Sequence, residues 1–466
     1  MRCPLIPALL VAVLTCCTLA PATGAPPSPT GTLAIVNAHV VPVDRAPFNG
    51  TVLVEAGKIT RLGPGVTVPG GVPVVDAKGG WLVPGFVDPH SHMGVYPFPG
   101  VEANSDGNEA SDPITPQVRT IDAIHLEDPA FGLALSGGVT SAFIIPGSAN
   151  LIGGQGSVIK LIPGASVEER VVLSPAGMKM ALGENPKRTY GGRGQLPATR
   201  MGVAAGLRQA FTDGQNYQAK WDKYTRDQAE YERKHAEWEA QADRDPDKEP
   251  KAPDLPDKDL KLEAIKAVLE RRIPAHIHCH RADDMLTAIR LRDEFGFDLA
   301  ALHHATEGYL ILDQLKDAQV PVVQFATYWA GAKIELDNMT PRNPGLCHAA
   351  GLTVALHTDH PVVNQEYFRD EAALAMASGM PHDAALRAMT LTPAEILRID
   401  DRVGSITAGK DADLVLFSGD PLDIQQRAMF VWIDGKLVYD RAHGGVIGAP
   451  NPPEGGMPWF GDRPWC

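Results

Sequence analysis

The 466-residue chain is short of the residues that mark several common protein classes. It has only 6 cysteines, and Cys3, Cys16 and Cys17 crowd at the start. The remaining Cys279, Cys347 and Cys466 are an odd, scattered set, so no disulfide framework is expected. Basic residues are outnumbered: 42 Lys and Arg against 56 Asp and Glu give a formal net charge of −14. That balance lacks the basic patches that neutralise phosphates, which argues against nonspecific nucleic-acid binding. The glycine-rich GSANLIGGQGS (147–157) lacks the Lys-Ser/Thr ending of a phosphate loop, which disfavours nucleotide binding. Beyond the first 25 residues no second long apolar run appears, so no membrane span is expected.

What is present begins with an N-terminal leader. Arg2, an apolar stretch over 5–19 and small residues over 20–25 predict a secretory signal at 1–25, hence an exported (periplasmic or secreted) protein. Cys16 or Cys17 as a lipid-modified residue is a weaker alternative, because Val13-Leu14-Thr15 are not the small residues that usually precede one. At 44% hydrophobic and 21% charged, the rest reads as ordinary globular protein.

Both ends of the mature chain carry short β-branched runs broken by Gly and Pro. Residues 31–84 include LAIVNAHVVPV and GTVLVEAGKITRLG; residues 400–445 include DADLVLF and MFVWIDGKLVYD. Neither piece alone can bury a core, so together they predict one small composite β-sandwich. Between them, 85–399 alternates apolar β-runs with amphipathic helical stretches. The candidate strands are FVDPHSH, VTSAFIIPG, SVIKLIPG, IPAHIHCH, LAALHHA, VPVVQFA and LTVALHTDH. Such alternation predicts an α/β fold, here a (β/α)8 TIM-type barrel. Residues 215–260 interrupt the rhythm. Trp221, Tyr224, Tyr231 and Trp238 share one helical face there, expected to pack on the barrel's outside, with a lid or subunit contact as the alternative.

The chemistry sits in histidines. In GFVDPHSH (85–92), His90 and His92 stand at i and i+2, so on a strand both face one side. IPAHIHCH (273–280) places His276, His278 and His280 on alternate positions. LAALHHATEG ends a run with His303 and His304, and LTVALHTDH ends another with His357, Asp359 and His360. More than half of the chain's 15 histidines thus gather at the C-terminal ends of β-runs, the face where barrel active sites are built. Imidazole and carboxylate donors suit Zn²⁺ best, with Mn²⁺, Fe²⁺ or Ni²⁺ also compatible. One or two such ions would lower the pKa of bound water, and Asp359 is the candidate to take and deliver its proton.

These residues resemble the amidohydrolase superfamily, most closely its imidazolonepropionase-like and exported dipeptidase-like branches. VPGFVDPHSH (83–92) matches the family's opening motif and GSITAGKDADLV (404–415) its closing one. The resemblance implies metal ligands at His90 and His92, at His278 and His304 on the fifth and sixth strands, and at Asp359 on the eighth. It also implies a midway ligand, for which GMKMALGENPKR offers Lys179, carboxylated on its amine, or Glu184. His280 would face the site as a substrate contact. His276 reads as structural, His357 and His360 as pocket walls. His303 stands where the family pattern usually has Glu, a departure. The implied activity is hydrolysis of an amide or cyclic amide C–N bond in a small molecule, with small peptides or N-acyl amino acids as the first class to test. Alternatives are a deaminase or imidazolone-type ring hydrolase, or a silent binding protein on the same fold. Self-association is left open. Softer candidates are the acidic loop EANSDGNEASDP (102–113) for a cationic substrate group, and Arg188, Arg193, Arg200 and Arg281 for a carboxylate.

Overall fold

The computed structural model describes residues 30–327 and 333–447; the expected signal at 1–25 lies outside them. Eight strands form one sheet in chain order: β1 (Phe86–Ser91), β2 (Val139–Ile144), β3 (Ile152–Lys160), β4 (Val171–Ala181), β5 (Ala275–Cys279), β6 (Leu299–His304), β7 (Val322–Gln324) and β8 (Val354–Leu356). The sheet curls into a nearly closed barrel. Its seam joins β1 to the end of β8, where the His92 N–H donates to His360 O at 3.0 Å and the Asp359 N–H to His90 O at 3.1 Å. The closing bonds therefore come from the backbone of candidate site residues.

Seven strands run parallel, and β3 runs antiparallel to both neighbours. The cause is the short link 145–151, since a parallel return needs a crossover of a dozen residues or more. The strand β4, which carries Lys179, is absent from the seven runs picked out in the sequence. Pro175 and Gly177 break its pattern, as both residues do in strands. Most barrel strands are buried on both faces, which is why they read as apolar runs rather than alternating ones.

Local signals set the helices. Asp128 accepts from the Ala130 N–H to open Pro129–Gly137, which ends at Gly138 with φ 93°. Ala282–Phe295 buries Met285, Ala288 and Leu291 against the barrel. The expected helical insertion starts earlier than 215, as the distal part of a 40-residue helix Arg200–Glu239 capped by Thr199. Its glycines 202, 206 and 214 weaken the helical signal at the sequence level. Only its first half is buried; Tyr217 donates to Glu263 at 2.7 Å and Lys266 approaches the Trp221 ring. Farther out, the Trp238 indole N–H donates to Asp245 O, so Trp238 covers the returning loop rather than the barrel. No described helix is long and apolar enough to cross a membrane.

The two chain ends build a second, nine-stranded sheet. Leu414–Phe417 pairs antiparallel with Trp81–Pro84, joining the C-terminal strands to the N-terminal ones. The sheet has its own core of Leu33, Ile35, Val52, Val54, Leu82, Leu414 and Trp432. Lys160, the last residue of β3, pins it to the barrel by reaching Asp411 (2.8 Å), Asp413 (3.0 Å) and Asp434 (2.5 Å).

Candidate active site

The C-terminal ends of β1, β4, β5, β6 and β8 converge on one buried cluster. His90 and His92 enter from β1, and the Nε2 atom of each lies 3.1 Å from Asp359 Oδ1. His304 Nδ1 lies 4.0 Å from Asp359 Oδ2. Ligand atoms of His90, His304 and Asp359 all fall within 4.8 Å of one another, a group able to hold a metal ion. His304 and Asp359 adopt positive φ (67° and 52°), as does Ala305 (41°). Such strain costs about 1–3 kcal/mol per residue and persists only where the surroundings impose it.

The remaining candidates fall as follows. Lys179 is fully buried, with Nζ 3.4 Å from His90 Nε2 and donating to Pro146 O at 3.1 Å. Glu184 opens the helix Glu184–Gly191 beyond the strand and is not in the metal-capable group. Its backbone N–H meets the carboxylate of Glu335. The His278 ring centroid lies 4.4 Å from that of His304, and its Nδ1 is tied to Ser148 Oγ at 2.9 Å while Nε2 has no hydrogen-bond partner. His280 stacks on His304 at 4.8 Å with its Nδ1 on Thr306 Oγ1. His357 stacks on His90 at 4.9 Å. Arg200 bridges Asp284 and Glu335. Arg281 pairs with its neighbour Asp283. In the acidic loop, Asp112 pairs with Lys261.

Several supporting residues escaped the sequence reading. Asp88 accepts from the His90 backbone N–H (3.0 Å), Thr358 Oγ1 (2.5 Å) and Gln365 Nε2 (2.5 Å), tying β1 to the loop that holds Asp359. Burial pushes its carboxyl up to about 7. Asp88 lies inside the GFVDPHSH motif, which could have flagged it; Gln365 carries no such signal. Phe325, after β7, packs on His304 and His357.

Burial also drives the imidazoles toward neutrality. His90, His278, His280, His303 and His304 fall well below the ordinary histidine value, and His276 and His357 to about 3. Burial alone would raise Asp359, yet His90 and His304 hold its carboxyl well below the usual range. The cluster thus sets a carboxylate held low by its histidine neighbours among rings that burial disfavours as cations.

Known proteins resemble the chain in sequence and in fold. The amidohydrolase family profile matches residues 234–440. A crystallised amidohydrolase from Thermotoga maritima MSB8 is 42% identical, with a TM-score of 0.80 over 88% of this chain and 100% of that one. The amidohydrolase tasK of Hapsidospora irregularis is 37% identical over 410 residues, 84% of this chain and 40% of that protein. The present chain therefore spans less than half the length of that curated relative. A prolidase complexed with N-methylphosphonate-L-proline shares the fold at 17% identity, with a TM-score of 0.54 over 88% of this chain and 100% of that one. With the motifs of 83–92 and 404–415 in place on a barrel of this kind, the chain belongs to the amidohydrolase family.

Proposed function

We propose that the chain is a metal-dependent hydrolase that cleaves an amide or cyclic amide C–N bond of a small molecule. One observation carries the metal reading. His92 Nδ1 lies 2.7 Å from the carbonyl oxygen of Ile145, which can only accept, so that nitrogen carries the ring's hydrogen. Its Nε2 faces Asp359 Oδ1 at 3.1 Å. With a neutral ring the two atoms would set lone pair against lone pair, which a cation held between them would relieve. The unpartnered Nε2 of His278 and both unpartnered nitrogens of His304 fit the same requirement, since buried polar atoms seldom go without a partner.

His90, His92, His278, His304 and Asp359 would hold the ion, and Lys179, carboxylated on its amine, would add a ligand for a second. The all-nitrogen-and-oxygen donor set suits Zn²⁺. When bound, such an ion supplies Lewis acidity, easing ionisation of water and polarising a carbonyl. The chain's own groups do the rest. Asp359 Oδ2 takes the proton from the attacking water and returns it to the leaving nitrogen. His280 orients the substrate carbonyl, its Nδ1 fixed by Thr306. Phe325 and His357 exclude bulk water on the β7–β8 side.

Small peptides and N-acyl amino acids are the first substrate class to test, a choice that rests on the family branch. Free amino acids released from a dipeptide panel support it, whereas ammonia released only from a nucleobase panel overturns it. Asp359→Asn should lower turnover by about 10²–10⁴-fold, and unchanged turnover refutes the assigned proton path. Export through residues 1–25 belongs to the same proposal and is checked by the N-terminal sequence of the secreted protein.

A further inference from the structure

His90 does not end its contacts at the cluster. Its Nδ1 shares a 2.8 Å hydrogen bond with Nδ1 of His303, whose Nε2 shares one of 2.9 Å with Nδ1 of His276. All three rings are fully buried. The row runs from the site down into the barrel, and His276 Nε2, at its far end, has no hydrogen-bond partner. The His276 ring packs 4.8 Å from Phe143. Gly177 makes room for it: a Cβ there would lie 2.3 Å from His276 Cδ2 and 2.8 Å from its Nε2.

A neutral imidazole has one N–H and one acceptor nitrogen. Three neutral rings joined head to tail therefore have only two consistent proton orders. If His90 Nε2 carries hydrogen, it donates to Asp359, and the order runs upward: His276 Nδ1–H to His303, and His303 Nδ1–H to His90. If His90 Nε2 is bare, the order runs downward. His90 Nδ1–H then donates to His303, His303 Nε2–H donates to His276, and the last hydrogen stands on His276 Nε2.

We propose that His303 and His276 are positioning residues that let His90 take the form whose Nε2 is free for a cation, by accepting its Nδ1 hydrogen along the row, and that cation binding selects this downward order. The inference rests on the metal reading above. Each ring stays neutral through the change: its single hydrogen moves to its other nitrogen by exchange with solvent, so the row holds three hydrogens in either order. A carboxylate in place of His303 would accept the same Nδ1–H from His90 but would end the row there.

The test uses the full-length protein labelled with ¹⁵N-histidine and titrated with Zn²⁺. In the zinc-loaded protein, His90 should be protonated at Nδ1, and His303 and His276 at Nε2; without zinc the pattern should reverse. Zinc affinity supplies a second readout. His303→Phe and His276→Phe should each weaken it about 10–100-fold, the range for partners behind a ligating histidine. His303→Glu should restore affinity, and His276→Phe added to it should cost nothing further. A loaded protein with hydrogen on His276 Nδ1, or an equal cost of His276→Phe in both backgrounds, overturns the inference while leaving the metal reading intact. Failure of the unsubstituted protein to bind zinc at all removes both.

Discussion

Replacing Lys160 by Met offers a sharp test of how the two sheets are joined. Lys160 is 2% exposed and contacts three carboxylates, two of them buried. Those two do not suffer equally. Despite burial, Asp411 is held at about 2 by Lys160 with Lys58 and Arg402, and the last two would remain. Lowering that carboxyl from an ordinary 3.8 to about 2 is worth about 2.5 kcal/mol, of which Lys160 supplies only a part. Asp413 has no such reserve. One of its oxygens has no partner, the other accepts the Asp434 N–H at 2.9 Å, and burial already raises its pKa. Without the ammonium it becomes a buried, uncompensated charge. Breaking a buried pair from one side costs about 3–5 kcal/mol, the loss expected in urea unfolding followed by circular dichroism at neutral pH. The pH dependence has a definite sign. A carboxyl raised in the folded state binds protons more tightly there than in the unfolded chain, so its penalty is present above the folded pKa and fades as pH falls toward 4. Asp413→Asn added to Lys160→Met should recover most of the loss. A loss below about 1 kcal/mol, or a double variant no better than the single, refutes the reasoning.

Two further changes probe the rim of the site. Gly183 has φ 87°, and a Cβ there would lie 2.7 and 2.8 Å from the two oxygens of Glu335. Gly183→Ala should therefore cost about 1–3 kcal/mol in thermal unfolding, and an unchanged midpoint would contradict that packing. Burial pushes Glu335 up to about 7 from an ordinary 4.5, so the parent should lose stability as pH rises through that window. Glu335→Gln should flatten the slope, and an identical slope would show that Glu335 is not its source.

The barrel and its histidines were legible because a strand's two-residue period puts HxH pairs on one face wherever the strand lies. Lys179 and Glu184 could not be told apart, because the choice depends on where β4 ends. Pro175 and Gly177 hide that strand, yet the fold keeps Lys179 inside it and starts a helix at Glu184. The departure at His303 was visible as an unexpected residue. Its meaning was not, since its partner His90 stands 213 positions away and no local pattern reports such a contact. Similarly, the reversed β3 follows from the length of 145–151, but an apolar run gives no direction by itself.

The most direct test of the metal reading is anomalous scattering at the zinc edge from crystals grown with Zn²⁺. A peak about 2.0–2.2 Å from Nε2 of His90 and of His92 and from a carboxylate oxygen of Asp359 is the expected result. Density showing these three side chains ordered around no ion, or zinc bound only elsewhere, would contradict it.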